Sequence, residues 1–406
     1  MLPEPYYARG VSCRAALVTS LLIDLAGCGR VGFDARAAGD GGDDGVTVDG
    51  TARPCPRSLA TGADHTCAVL DDGTVQCWGS NVSGELGDGT MEDRSEPSPV
   101  PGLTGVQQIA ANSDHTCAVT GAGDVWCWGG NTNGQLGDGT TTPHATPMRV
   151  ATIANATEIL AGAAHTCARI TDGTMRCWGS NTNGELGNGG VVQQLDPITV
   201  LAVNDAAQIG GEGCHTCARR TDGTAVCWGC NFYGELGNGV TSPEQTTPVP
   251  VMSIANLTSL FVGRYHTCAL VAGSVWCWGI NLSGQIGDVM GTTQRLVPFQ
   301  VPGMTGVTAL FGGHRNTCAR KMDGALWCWG ENLEGQLGDG SQMRLYVPTQ
   351  IPVVGVIDLQ GGTGHLCTLR VDGSVWCGGN NASGQLGDGT MTNAPTTPVQ
   401  AIAACP

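Results

Sequence analysis

Charge is scarce in this chain. Asp, Glu, Lys and Arg make up 13% of its 406 residues, and 19 Lys plus Arg against 35 Asp plus Glu give a formal charge of −16. No stripe of cations runs through it. A nucleic-acid partner, whose phosphates demand clustered Lys and Arg, is therefore excluded, and the acidity reads as a solubility device. Aromatic residues are also few, and the 10 Trp among them fall at recurring positions. No long segment carries the apolar period of an amphipathic helix, and no apolar run is long enough to span a bilayer. Linear catalytic signatures are missing too: there is no Gly-x-Ser-x-Gly elbow, no phosphate loop and no zinc-protease His pair. Nothing in the sequence calls for a cofactor or a bound metal.

What the chain does have is glycine, 64 residues of it, cysteine, 20 residues, and repetition. One copy of the repeat reads His65-Thr66-Cys67, a short polar turn, then Cys77-Trp78-Gly79-x-Asn81-x-x-Gly84-Glu85-Leu86-Gly87-Asp88-Gly89. The first cysteine of each copy is Cys67, Cys117, Cys167, Cys217, Cys268, Cys318 or Cys367, at successive spacings of 50, 50, 50, 51, 50 and 49. So regular a period means one structural unit arrayed many times. An array also resolves the problem of length, because a single compact core stops growing at roughly 250–300 residues, whereas stacked units pack only on their neighbours. Each period has room for about four short strands, in the second copy near 107–111, 115–120, 124–129 and 147–150, punctuated by Gly, Asp-Gly and Asn-Gly.

The cysteines almost account for themselves. Each copy holds a second one: Cys77, Cys127, Cys177, Cys227, Cys277, Cys328 and Cys377. Between Cys67 and Cys77 lies a hairpin whose loop, Asp71-Asp72-Gly73, suits a type I turn followed by a glycine bulge. In that register Val69 faces Val75 and Cys67 faces Cys77, close enough to bond. The fifth copy is one residue shorter between Cys268 and Cys277, and the missing residue is in the loop, Ala272-Gly273, so the two cysteines still face each other. Cys214 and Cys230 have the same index sum as Cys217 and Cys227, 444, and face each other further along the fourth hairpin. Their CxxC spacing also leaves a four-cysteine zinc site open there. Cys55 and Cys405 flank the array. The 12 residues from Cys55 to Cys67 and the 38 from Cys367 to Cys405 make one period, which a closed ring locked by a Cys55–Cys405 bond would explain. Paired cysteines in such number argue for an oxidising compartment.

The segment Trp128-Gly129-Gly130-Asn131-Thr132-Asn133-Gly134-Gln135-Leu136-Gly137-Asp138, with the His-Thr-Cys strand upstream, resembles the repeat of the regulator of chromosome condensation family. The resemblance covers 55–405 and all seven copies. It implies an all-β fold, a seven-bladed β-propeller of four-stranded blades, here with disulfide staples. Ring closure removes exposed sheet edges, in keeping with the arithmetic of Cys55 and Cys405. The founding members of that family exchange nucleotide on a small GTPase and bind chromatin. This chain departs from their setting, and a secreted bacterial β-lactamase inhibitory protein and other exported propellers are the nearer analogies.

The departure lies at the N-terminus. Arg9 and Arg14 precede an apolar run from Ala15 to Leu25, and Leu25-Ala26-Gly27-Cys28 resembles the lipobox of bacterial lipoproteins. Residues 1–28 are expected to be a leader, with Cys28 lipidated. Residues 29–54, including Gly39-Asp40-Gly41-Gly42-Asp43-Asp44-Gly45, are too polar to order and are expected to form an acidic tether. The propeller, 55–405, would then be an exported monomer held at the outer membrane or cell surface, or else secreted.

Several repeated residues invite a chemical reading that a structural one displaces. The His two places before each first cysteine becomes Asn316 in the sixth copy, and Asn replaces His as a hydrogen-bonding group but poorly as a metal ligand. The Asn-x-Asn-Gly loops fail the calcium-loop pattern at Gly129 and Thr140. The Trp residues around each second cysteine are expected in the core, and Gly378 in the seventh copy thins its seam. Specificity must lie where copies differ: Phe232 and Tyr233 replace small or polar residues, Tyr265 stands where others have Asp or Ala, with Arg264 just before it, and Tyr346 lies in the most variable loop. Aromatics and Arg at variable loops are typical interface anchors. The expected function is a non-enzymatic protein-binding or scaffold module for an unidentified envelope protein. The alternatives are an inhibitor of a secreted hydrolase and an enzyme whose active site lines the central pore.

Overall fold

In the computed structural model, which describes residues 53–405 other than Met290, the chain is built from antiparallel four-stranded units with no helix among the described residues. The leader, Cys28 and nearly all of the tether lie outside the described residues. Seven blades occupy 56–99, 106–149, 156–199, 206–250, 257–300, 307–351 and 356–402. Within every blade the strands follow chain order from the axis outwards. Inner strands of consecutive blades contact one another, and the last inner strand, Val356–Gly361, contacts the first, Pro56–Thr61, so the ring closes. No strand is exchanged between the chain ends. The seam is instead joined by a Cys55–Cys405 disulfide with its Cα atoms 5.9 Å apart.

The two middle strands of each blade hold no exposed residue. In blade 1 all six residues of His65–Leu70 are buried, whereas the outer strand Arg94–Pro99 is half exposed. The hairpin joining the second and third strands turns on Gly73, whose φ of 80° only glycine adopts freely. Asp72 Oδ1 accepts the Thr74 amide at 2.9 Å and pins the turn. In blade 5 the loop shrinks to Ala272 and Gly273, with φ of 47° and 77°, the positive pair that a two-residue hairpin requires. Both loops keep the cysteines opposite each other: Cys67 with Cys77, and Cys268 with Cys277. The seven intrablade pairs are disulfides with Cα atoms 4.1 Å apart. Cys214 and Cys230 form a further disulfide on the fourth hairpin, so these four cysteines are two staples and not one zinc site.

Blades join through one polar joint used again and again. Between blades 1 and 2 the Glu85 carbonyl accepts both the Trp128 indole N–H and the Thr116 hydroxyl, each at 2.9 Å. The Thr116 oxygen then accepts from His65 Nε2, 2.9 Å away. Thr116 has spent its proton on the carbonyl, which assigns the Nε2–H tautomer to His65. Burial holds His65 neutral, its pKa lowered to about 3. Gly87 lies flat against the Trp128 indole, where a Cβ would come within 2.7 Å of Nε1.

The same joint appears at every seam except that between blades 6 and 7. There all three side chains change together: Asn316 replaces His, Leu366 replaces Thr, and Gly378 replaces Trp. Pro398 packs near Gly338, the position that meets a Trp elsewhere, and Leu366 buries an apolar side chain in the gap. At its inner end this seam is tight instead. Gly312 forms a parallel bridge with Gln360, and the Gly313 and Gly361 backbones touch. The paired Trp expected in the core divide: Trp128 is fully buried, but Trp126 is only half-buried, and Trp327 and Trp376 lie under Lys321 and Arg370 at 4.5 and 4.7 Å.

Candidate functional site

Two positions of each repeat come together on one face of the ring. One is the residue just before the repeat His: Asp64, Asp114, Ala164, Cys214, Tyr265, Arg315 and Gly364. The other is the turn that follows the repeat Asn. In blade 1 this Asn is a hub. Asn81 Nδ2 donates to Asp88 Oδ1 and the Thr90 and Glu92 carbonyls at 3.1–3.2 Å, and its Oδ1 accepts the Leu86 amide at 3.0 Å. The hub spends the amide on the loop itself and fixes the two residues that follow, Val82 and Ser83, as display positions. Val82 is 72% exposed.

What is displayed differs around the ring. Over blades 1–3 a cleft is lined by Asp64, Glu85 and Asp114 among small residues. Burial pushes the pKa of each of these carboxyls up. Over blades 4–6 the same positions form an aromatic and cationic pocket of about 530 Å3. Its walls are Phe232, Tyr233, Tyr265, Ile280 and Leu282, with Arg315 on the rim and Ser283 and Gln285 below. The Tyr233 and Tyr265 rings meet edge to face at 6.0 Å, and the guanidiniums of Arg264 and Arg315 lie 5.4 and 5.9 Å from the Tyr265 centroid.

Phe232, Tyr233, Arg264 and Tyr265 thus gather at one place. Tyr346 does not join them: it lies on the outer strand Leu345–Ile351 of blade 6, its backbone against Gly284, and does not line the pocket. Sequence comparison of the copies missed Leu282 and Arg315. Both stand in columns already singled out, Leu282 where blade 4 has Phe232 and Arg315 where blade 5 has Tyr265, so the signal was there.

Beneath Tyr233 is an unusual acid. Glu235 is fully buried, its Oε2 accepts the Tyr233 amide at 2.8 Å, and its Oε1 has no partner. Blade 1 satisfies the matching oxygen with the Ser80 hydroxyl at 2.9 Å, but here that position is Cys230, already spent in a disulfide. Desolvation raises the Glu235 pKa to about 7.

The central channel, about 220 Å3, is lined by the inner strands and holds one polar cluster drawn from several blades. Glu212 Oε1 is 3.4 Å from His314 Nε2, and His314 Nδ1 is 2.9 Å from the Thr363 hydroxyl. Asn112 reaches from blade 2 to the Glu212 carbonyl. Burial raises the Glu212 pKa well above its ordinary value and lowers that of His314 to about 3. Arg264 works against the shift at Glu212, favouring its charged form. No group of three or more metal-ligating side chains is found among the described residues.

Two family models, both described as Regulator of chromosome condensation (RCC1) repeat, match the chain, one at 72–119, 122–169, 222–270 and 323–369, the other at 57–85, 106–135 and 157–185. Among solved structures, human WBSCR16 is similar at 24% identity and TM-score 0.71, over 78% of this chain and 86% of that one. Prp20p of Saccharomyces cerevisiae is similar at 20% identity and TM-score 0.72, over 86% and 88%. Yeast RCC1 bound to Kap60 matches at 22% identity and TM-score 0.67, over 76% and 78%. At these identities the likeness is one of fold.

Proposed function

Because the chain belongs to the regulator of chromosome condensation (RCC1) repeat family and its ring displays varied residues on constant turns, we propose that it is a non-enzymatic protein-binding module. The observation that carries this reading is the gathering of Phe232, Tyr233, Arg264 and Tyr265 around one pocket, with Phe232 49% exposed. Aromatic and Arg side chains concentrated in a concave patch are the usual anchors of protein interfaces. Binding of protein partners has precedent on this fold: the yeast relative Prp20 is described as bound to Kap60 and as binding Gsp1p and histones. The nine disulfides among the described residues favour an oxidising setting, so the partner is to be sought among exported proteins. In this reading residues 1–28 are a lipoprotein leader, Cys28 carries the lipid, and 29–54 hold the ring off the bacterial envelope.

The test is a pull-down from envelope and secreted fractions with the ring and with Phe232→Ala, Tyr233→Ala, Arg264→Ala, Tyr265→Ala and Tyr346→Ala. The pocket variants should lose the captured protein and Tyr346→Ala should keep it. A partner retained by all of them would discard this face. Cys28→Ser should move the protein to soluble fractions. One observation favours a second reading, a pore-lined enzyme: Glu212 and His314 place a buried carboxyl 3.4 Å from a buried imidazole at the channel. Turnover of any substrate that Glu212→Gln abolishes would establish it.

A further inference from the structure

The pocket over blades 4–6 lacks an acceptor that the ring supplies to itself in two other copies. Gln385 of blade 7 donates its Nε2 to Asp64 Oδ1, the residue before the His of the next blade, at 3.1 Å. Gln135 likewise has Asp114 at 3.5 Å. Gln285, in the same repeat position, is 1% exposed and lines the pocket. Its Oε1 accepts the Ser283 amide at 2.9 Å, but its Nε2 has no acceptor among the described residues. The two places from which a carboxylate would reach it carry Tyr265 and Arg315. Gln285 lines the pocket, so a ligand that brings an acceptor can take this N–H.

The rest of the pocket specifies that ligand. Arg315 stands on the rim. It shares Glu331 with Arg344 at 3.6 and 3.7 Å, two guanidiniums to one carboxylate, and this leaves positive charge uncompensated. Arg264 lies against the Tyr265 ring as well, but its charge also acts on Glu212. The walls are aromatic and aliphatic. The ligand must therefore carry a carboxylate and a large apolar group within one residue of each other.

We propose that the pocket binds the C-terminal residue of a partner protein that ends in a large apolar or aromatic side chain. The terminal carboxylate meets Gln285 and Arg315, and the side chain enters between Tyr233, Tyr265 and Leu282. A terminal residue joins both groups at one carbon and needs a single exit for the chain behind it, whereas an internal Asp or Glu would need two. The volume, about 530 Å3, suits one or two residues. This inference rests on the reading of this face as a protein-docking surface.

The test is calorimetry on the disulfide-intact ring with N-acetyl-Gly-Gly-Phe as the free acid, as its C-terminal amide, and with phenylacetate. The acid should bind, the amide at least tenfold more weakly, and phenylacetate more weakly still. Arg315→Gln, an exposed change that leaves the fold alone, should weaken the acid about tenfold and the amide little. Equal binding of acid and amide overturns the proposal, as does binding of neither at millimolar concentration. Phenylacetate binding as tightly as the peptide overturns the protein terminus as its source. If a partner is captured through Tyr265 while no peptide acid binds, the docking face stands and only the C-terminal reading falls.

Discussion

Glu235→Gln should stabilise the ring in alkali and not in acid. In the folded ring Glu235 titrates at about 7 against an ordinary 4.5 because burial removes its solvent and nothing hydrogen-bonds Oε1. Below pH 4.5 the carboxyl is protonated in folded and unfolded chains alike and costs nothing. Between pH 4.5 and about 7 only the unfolded chain ionises, so stability falls as the pH rises, and above about 7 the whole penalty is in place. That gap amounts to about 3 kcal/mol at ~1.4 kcal/mol per pH unit. Gln keeps the bond to the Tyr233 amide and carries no charge, and an unpaired amide N–H costs about 1 kcal/mol. The expected net is a gain of about 2 kcal/mol at pH 9 and a loss of up to about 1 kcal/mol at pH 4. Gln stands at this position in four other copies, as Gln135, Gln285, Gln336 and Gln385, so the backbone accepts it. Urea unfolding with disulfides intact, at pH 4, 7 and 9, reads the difference. A gain of the same size at all three pH values, or none at pH 9, would refute the argument.

The repeat histidines run the other way: His65, His115, His215 and His266 have pKa values lowered to about 3 by burial, so acid protonates the unfolded chain first. Stability should therefore drop steadily as the pH falls from 6.5 towards 3, measured by the urea midpoint; a flat profile would contradict the neutral His–Thr belt. Thr166→Val should cost about 1–3 kcal/mol, because it strips a partner from both His115 and the Gln135 carbonyl, and thermal unfolding measures it. Removing the Cys55–Cys405 bond by Cys55→Ser frees a loop of 350 residues and should lower stability by at most about 5 kcal/mol in chemical denaturation. Hydrogen exchange should show the seam between blades 6 and 7, which lacks the His–Thr–Trp joint, opening before the other six; uniform protection would overturn that ranking.

What was legible in the sequence was what a single repeat decides for itself. Cysteine register follows from loop length, because a hairpin aligns its own two strands whatever lies around it, and the shortened loop at Ala272-Gly273 compensates in place. Ring closure was readable from Cys55 and Cys405 because a closed ring makes chain length a whole number of periods. What escaped is what forms between repeats. His65 meets Thr116, 51 positions away, in the next blade, and the only trace in sequence is a joint loss, Asn316 with Leu366, that makes sense once the two are known to touch. Asn112, Glu212 and His314 come from three different blades and belong to no shared motif, so only the ring brings them together. Tyr346 shows the converse: variability marked it, but it stands on an outer strand and does not line the pocket.

The same distinction bears on where function can reside in such a ring. Positions that hold the blades together are the same in nearly every copy, and apart from the repeat His Nδ1 their polar groups find partners within the ring. A binding site must therefore arise where one copy abandons its joint or display residue without a replacement from its neighbour. Blades 4–6 do this twice in one place: Cys230 takes away the hydroxyl that Glu235 needs, and Tyr265 with Arg315 takes away the carboxylate that Gln285 needs. The seam between blades 6 and 7 also abandons its joint, but Leu366 and Pro398 refill the space with apolar groups and leave little cavity. Asn316 Oδ1 is left unpaired at the second place too, so it is the open aromatic pocket that distinguishes the first. That difference is the physical reason for seeking a partner over blades 4–6 and a mechanical weak point between blades 6 and 7.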